Sequence, residues 1–281
     1  MLTSTQDLLE KAQKYSYAVG AFNLYNLEGA KAVVNAAEAD SSPAIIQILP
    51  HILKYGGSPL MALFLEAADS ATVPMSVHLD HCEDSAVIEM ALAAGIQSVL
   101  ADGSKFSYQE NLSFTREMTA LAHAKGATVE AEIGRISGTE DGMTVAEKEA
   151  KMTDPGQAKE FVEKSGVDFL AVTIGNVHGQ YHSEPRLDFE RLAKVRQQLD
   201  IPLVLHGASG LPALMIRRSI ELGVCKFNVN TEVRQKYLQF WREYGKTDSQ
   251  RDLLDCQKAS TDAMQEVVAQ KIRLFGSAGK A

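Results

Sequence analysis

Eight short apolar runs, set apart by amphipathic stretches, constrain this chain more than any other feature. They occupy residues 18–23, 44–49, 74–80, 98–102, 128–133, 169–174, 202–206 and 225–230, and each is bounded by Gly, Pro or polar residues. Runs of that length and composition predict strands buried on both faces. Between most of them lie helical patterns such as NLEGAKAVVNAAEAD, DSAVIEMALAAG, DPGQAKEFVEKSG and LPALMIRRSIELG. Several end in Gly, the residue that commonly follows a helix C-terminus. Strand and helix in alternation require right-handed crossovers and a parallel sheet, and eight such units predict an α/β fold closed into a (β/α)8 TIM barrel. An open doubly wound sheet is the competing arrangement, but its G-x-G-x-x-G fingerprint is missing after the first strand.

The length of 281 residues, with 45% hydrophobic and 23% charged content, suits one barrel, so residues 1–281 are expected to form a single domain. Past the eighth run, EVRQKYLQFWREYG and TDAMQEVVAQKIRLFG predict extra C-terminal helices. Residues 134–152 break the rhythm with Gly, Ser and acidic residues, and predict a mobile loop beside the site. A second polar excursion covers 175–188.

Composition narrows the partners. A net charge of −8 without any Lys/Arg cluster argues against nucleic acid. No apolar stretch approaches the roughly 20 residues that span a bilayer, and MLTSTQDLLEKAQKYS reads as an amphipathic helix start rather than a signal peptide. A soluble cytoplasmic protein with no membrane partner is expected. Cys82, Cys225 and Cys256 are odd in number and widely spaced, which predicts reduced thiols.

In a parallel barrel the chemistry gathers at the carboxyl ends of the strands. Those ends carry Asn23, Asp80, His81, Asp102, Glu130, Glu132, Asn176, His178, His206, Asn228 and Asn230. Burial alone gives no reason for such residues, because desolvated amides, carboxylates and imidazoles cost stability unless partnered. His81, His178 and His206 offer three imidazoles without a fourth protein ligand, the donor set of a catalytic zinc site. His78 lies two residues before Asp80, on the same face at a deeper level, and is read as a hydrogen-bonded interior residue. Asp80 alternates away from His81 and is free for proton transfer, with an N-cap as its competing role. Glu130 and Glu132 share a face and raise each other's pKa unless a cation or Arg135 intervenes; Glu132, nearer the rim, is the functional candidate. HGASG (206–210) and NVNT (228–231) follow the last two strands, where barrels hold phosphate on backbone N–H groups.

Taken in order, HLDH (78–81), VEAEIG (129–134), TEDG (139–142), HGQY (178–181), LHGASG, NVNTE and the closing FGSAGKA resemble the zinc-dependent class II fructose- and tagatose-bisphosphate aldolases over essentially the whole chain. The resemblance implies a (β/α)8 barrel in which His81, His178 and His206 bind Zn²⁺, Glu132 assists an alternative metal position, and Asp80 is the acid/base at the hydroxyl beside the cleaved bond. Glu140 matches the loop carboxylate that exchanges the dihydroxyacetone phosphate proton. Gly179, Gly207, Ala208, Ser209, Asn228, Val229, Asn230 and Thr231 match segments that hold the phosphate and hydroxyls of that product, in some relatives with a monovalent cation (Na⁺ or K⁺). Asn23 joins them on the rim as a substrate contact. The implied reaction is reversible cleavage of a ketose bisphosphate, tagatose- or fructose-1,6-bisphosphate or a close analogue, through a zinc-stabilised enediolate, in a homodimer or homotetramer. Lys226, the lysine of the eighth strand, is read as a supporting residue, since no Schiff base is needed.

Three departures bear on the substrate. Leu49 stands where many relatives carry Ser or Thr, Thr139 precedes Glu140 where fructose-type relatives often have a second Glu, and Thr261 replaces an Arg that recognises the far phosphate. The aldehyde half is therefore expected to differ from glyceraldehyde 3-phosphate. Two other readings use the same parts. A zinc-dependent barrel hydrolase would hold hydroxide at the open metal position, but Asn23 stands where its His-x-His pair would end the first strand. A non-catalytic aldolase-like partner subunit is the other, against which the complete ligand set, Asp80 and Glu140 argue.

Overall fold

All eight apolar runs form strands, with ends that agree with the sequence reading to within two residues: β1 (Val19–Asn23), β2 (Ala44–Ile48), β3 (Met75–Cys82), β4 (Ser98–Ala101), β5 (Thr128–Ile133), β8 (Phe169–Val172), β10 (Leu203–Leu205) and β11 (Val224–Val229). The computed structural model describes the protein except at 141–142, 146–150, 180, 182 and 247–251, with backbone alone at 139–140 and 143–145. The strands close into a parallel barrel in the order β1-β11-β10-β8-β5-β4-β3-β2. At the seam the first strand meets the last, Val19 opposite Lys226 and Ala21 opposite Asn228. Helices α2 (Leu27–Ala39), α3 (Pro50–Ser70), α4 (Ser85–Ala93), α5 (Tyr108–His123), α6 (Pro155–Ser165), α7 (Phe189–Gln198) and α8 (Ala213–Glu221) alternate with these strands along the chain. This is the (β/α)8 TIM barrel that the alternation of patterns predicts.

The barrel interior divides by level. Its lower half is apolar: Val19, Ala21, Ile45, Phe169, Ala171, Val204 and Cys225 pack against Leu8, Leu9 and Ala12 of helix α1 (Thr5–Lys14). The amphipathic N-terminal helix thus plugs the end of the barrel away from the chemistry. Two residues beyond Ala21, Ile45 and Val204, on the same faces, come Asn23, Gln47 and His206. With them the upper half holds His78, Asp80, Glu130, Lys226 and Asn228, all buried.

Between strands and helices runs the main apolar core, including Phe22, Phe64, Phe161, Leu170, Phe227 and Phe275. The two predicted C-terminal helices form as α9 (Thr231–Tyr244) and α10 (Leu253–Phe275). Phe275 stacks on Phe227 of β11, ring centroids 4.8 Å apart, which fastens the chain's end to the closing strand. No helix among the described residues is long and apolar enough to cross a membrane.

The excursion at 134–152 departs from the expected loop. Strand β6 (Ser137–Glu140) pairs antiparallel with β7 (Met143–Val145) and parallel with β9 (Val177–His178), making a three-stranded sheet beside the barrel mouth. At two to four residues each, these strands are too short to show a periodicity. Gly138 permits the pairing, because a Cβ there would lie 2.1 Å from the carbonyl oxygen of His178.

Candidate active site

Each of the three histidines reaches the mouth by a different device. His206 follows β10 directly. His178 belongs to β9 of the small sheet rather than to a barrel strand. His81 lies inside β3, where pairing with β4 shifts register between Leu79 and Cys82 and the backbone at His81 turns left-handed, φ 42°. A non-glycine residue held there costs about 1–3 kcal/mol, and such strain concentrates at functional sites. Strict alternation would send Asp80 and His81 to opposite faces, as the sequence reading expects; the left-handed turn instead buries both at the barrel mouth.

The ligand-capable atoms of His81, His178 and His206 lie within 4.8 Å of one another. Their ring centroids are 4.7 Å apart for His81–His206, 4.9 Å for His81–His178 and 6.0 Å for His178–His206. Carboxylates hold two of the rings from behind. His81 Nδ1 donates to Asp102 Oδ2 at 2.7 Å, and His206 Nε2 donates to Glu130 Oε1 at 2.8 Å. Because a carboxylate only accepts, His81 Nε2 and His206 Nδ1 are left as the inward nitrogens, 3.0 Å apart. Two lone pairs at that separation repel unless a proton or cation lies between them. Imidazoles backed by carboxylates are the usual supports of bound zinc.

The electrostatics agree. Burial opposes a charged His81, but the Asp80 and Asp102 carboxylates raise its pKa well above the ordinary value. Burial and the neighbouring His81 charge lower His206 well below it and His178 to about 3. Asp102 is held below the ordinary carboxylate range: burial works against this, and the bonds from His81 and Ser104 prevail. Glu132, buried and facing Asp102, is pushed up to about 8. Its Oε2 is buried without a hydrogen-bond partner among the described residues, 3.7 Å from His206 Nδ1. Converging nitrogens and an unsatisfied buried carboxylate oxygen fit a divalent cation with mixed N/O ligands. A cavity of about 310 Å³ opens beside these groups, lined by His81, Asp102, Glu132, Arg135, Gly138 and His178 among others.

Asp80 is gripped from the seam of the barrel, by β1 and β11. Asn23 Nδ2 donates to its Oδ2 at 2.8 Å, and Asn228 Nδ2 donates to its Oδ1 at 3.0 Å. Helix α4 is capped instead by Asp84, which accepts from Ala86 N–H. The capping role considered for Asp80 therefore falls away, and its carboxylate is a positioned acceptor at the rim.

The glycine-rich loop after β10 packs tightly against the small sheet. Gly207 has φ 65°, and a Cβ there would lie 2.1 Å from the carbonyl oxygen of Val177. Tyr181 Oη donates to the Gly207 carbonyl at 3.1 Å, and Asn176 Nδ2 donates to that of His206 at 3.2 Å. Ala208 N–H donates to the carbonyl of Asn228 at 3.4 Å, joining the two predicted phosphate segments. Asn230 accepts from Tyr25 Oη, and Thr231 opens α9. Ser209 and Thr231 are buried. Val229 turns its side chain into the apolar core, so only its backbone is left for a ligand. Gly179, φ 86°, directly follows His178.

Glu140 ends β6, opposite Met143; its side chain lies outside the described residues. Leu49 is buried at the start of α3, and Thr261 donates within α10 to the Gln257 carbonyl. Neither offers the site a free hydroxyl. The bonds that Asp102 and Glu130 make to the imidazoles escape a reading of the sequence, although both carboxylates are visible there among the rim residues.

Comparison with known proteins points one way. Residues 3–280 match the family model described as fructose-bisphosphate aldolase class II. A provisionally assigned fructose-1,6-bisphosphate aldolase from Coccidioides immitis is 38% identical, with a TM-score of 0.93 over 98% of this chain and 97% of that one. The YdjI aldolase of Escherichia coli K12 is 36% identical, with a TM-score of 0.90 and 100% coverage of both chains. Fructose-bisphosphate aldolase from Campylobacter jejuni, at 22% identity and a TM-score of 0.84, covers 100% of this chain and 97% of its own; it shares the fold.

Proposed function

The chain belongs to the class II fructose-bisphosphate aldolase family, and on that premise we propose that it is a zinc-dependent lyase that reversibly cleaves a ketose phosphate to dihydroxyacetone phosphate and an aldehyde. The proposed substrate is tagatose- or fructose-1,6-bisphosphate or a close analogue. What carries this reading is one juxtaposition: three convergent imidazoles beside a buried carboxylate, Asp80, gripped by two amides. His81, His178 and His206 would hold the metal, with Glu132 as an auxiliary oxygen ligand. When bound, zinc supplies Lewis acidity that polarises the ketone and accommodates the electron pair left by the breaking C3–C4 bond.

The remaining work belongs to side chains of this chain. Asp80 takes the proton of the C4 hydroxyl in cleavage and returns it in condensation, its geometry fixed by Asn23 and Asn228 so that little reorganisation is needed at the moment of transfer. Glu140 delivers or removes the proton at C3 of dihydroxyacetone phosphate. Backbone groups of Gly179, Gly207, Ala208 and Ser209, with Asn228, Val229, Asn230 and Thr231 at the start of α9, hold the phosphate and hydroxyls of that half. A helix N-terminus favours such an anion. A monovalent cation, Na⁺ or K⁺, would accompany the phosphate. Leu49 and Thr261 leave the far end without the usual donors, so an aldehyde other than glyceraldehyde 3-phosphate is the proposed co-product. We assign the whole chain, 1–281, to one catalytic unit, working in the cytoplasm as a homodimer or homotetramer.

The deciding experiment follows hydrogen exchange at C3 of dihydroxyacetone phosphate, then condensation with a panel of aldehydes scored for product configuration. Zinc-loaded protein is expected to catalyse both, and chelation to stop both. A zinc-loaded protein that exchanges nothing would leave hydrolysis or a silent partner role in place of aldol chemistry.

A further inference from the structure

Inside the barrel, beside the imidazoles, lies a lysine that none of these steps uses. Lys226 of β11 is wholly buried, and its Nζ donates to Glu130 Oε2 at 2.8 Å and to Asn228 Oδ1 at 2.7 Å. Buried ion pairs of this kind are seldom better for stability than apolar residues of the same volume, so stability alone does not account for this one. Its two partners lead in different directions, and each ends at a group assigned to the chemistry.

An ammonium only donates. The amide of Asn228 must therefore turn its oxygen toward Lys226, which leaves Nδ2 to donate to Asp80 Oδ1 at 3.0 Å. On the other side Glu130, with Oε2 held by the ammonium, directs Oε1 at His206 Nε2, 2.8 Å away. That nitrogen must carry the ring proton, and Nδ1 keeps its lone pair toward His81. We infer that Lys226 is a positioning residue that fixes both the tautomer of His206 and the amide orientation of Asn228, tying the imidazole cluster to the carboxylate that moves the proton. The Asp80 end of this inference rests on the aldolase reading; the His206 end does not.

The test pairs Lys226→Met with Glu130→Gln, because Lys226→Met alone would strand a buried carboxylate. The substituted amide keeps an oxygen for His206, and its nitrogen would face His78 Nε2, which lies 3.7 Å from Glu130 Oε2 in the parent and has no hydrogen-bond partner among the described residues. At saturating zinc the double variant is expected to exchange the dihydroxyacetone phosphate proton within about tenfold of the parent, since that step does not use Asp80, whereas condensation falls roughly 100-fold, the usual effect of a misplaced catalytic group. A merely structural lysine would lower both rates together or neither, and either outcome overturns the proposal. A measurement on the unsubstituted, metal-free protein stands apart from the variant's folding. In ¹⁵N spectra of ring-labelled histidine, His206 should be protonated at Nε2, and protonation at Nδ1 would refute the assignment. Should the parent exchange no proton at all, the aldolase reading fails, and the His206 tautomer alone decides the role of Lys226.

Discussion

Replacing Asp102 by Asn separates what the carboxylate does for metal binding from what it does for the fold. In the parent, Asp102 Oδ2 accepts a hydrogen bond from His81 Nδ1 at 2.7 Å, and Oδ1 accepts one from Ser104 N–H at 3.0 Å. An asparagine that keeps the Ser104 bond must present its amide N–H to His81 Nδ1, which then has to accept. The ring proton moves to Nε2, the nitrogen 3.0 Å from His206 Nδ1. In the metal-free protein that proton still joins the two rings in a hydrogen bond. A cation, however, finds a proton where it needs a lone pair. Loss of such a supporting partner weakens metal binding about 10- to 100-fold, or about 1.4 to 2.7 kcal/mol. At fixed zinc that difference subtracts from ligand-induced stabilisation, and at roughly 2–4 °C per kcal/mol for a chain of this size the zinc-dependent rise in Tm should shrink by about 3 to 11 °C. Chelator competition gives the affinity, and melting with and without zinc gives the two stabilities. An unchanged zinc affinity, or an equal fall in both Tm values, would refute the tautomer argument.

Asp80→Ala should lower cleavage by about 10² to 10⁴, the span typical of a lost general acid/base, while metal analysis finds parental zinc; His206→Ala should lose zinc and turnover together. Glu140→Gln is expected to slow exchange of the dihydroxyacetone phosphate proton with little change in ground-state affinity, as read by inhibition with a non-exchanging analogue. Gly207→Ala combines an unfavourable φ of 65° with a Cβ placed 2.1 Å from the Val177 carbonyl oxygen. It should cost about 1–3 kcal/mol of stability and raise KM for the phosphorylated substrate, checked by denaturant unfolding and steady-state kinetics.

The strands, their parallel order and the three histidines are legible because barrel strands announce themselves as continuous apolar runs, and because burial gives polar residues at their ends no reason to be there. Alternation misleads at one point. A period of two sends Asp80 and His81 apart, and nothing in the sequence reports the left-handed turn at His81 that reunites them. The small sheet of β6, β7 and β9 is hidden for a different reason: the segments SGTE, MTV and VH are too short for period or composition to mark them. Asp102 and Glu130 can be seen on the rim, but their bonds to His81 and His206 depend on barrel shear and strand tilt, which only coordinates supply. Lys226 stands in the eighth strand where the apolar run puts it, yet its two partners lie on another strand and two residues along its own, a pairing that sequence spacing does not single out.

The first and last strands of the barrel each supply one of the two amides that grip Asp80: Asn23 from β1 and Asn228 from β11. A ribosome therefore has to release the chain beyond residue 228 before this carboxylate has both of its holders. Any intermediate that has paired the other strands but left the cylinder open at β11 would carry this base held by Asn23 alone. Turnover consequently reports zippering of the final strand more directly than secondary-structure content does, and during refolding it should return with that last step, after helicity has recovered.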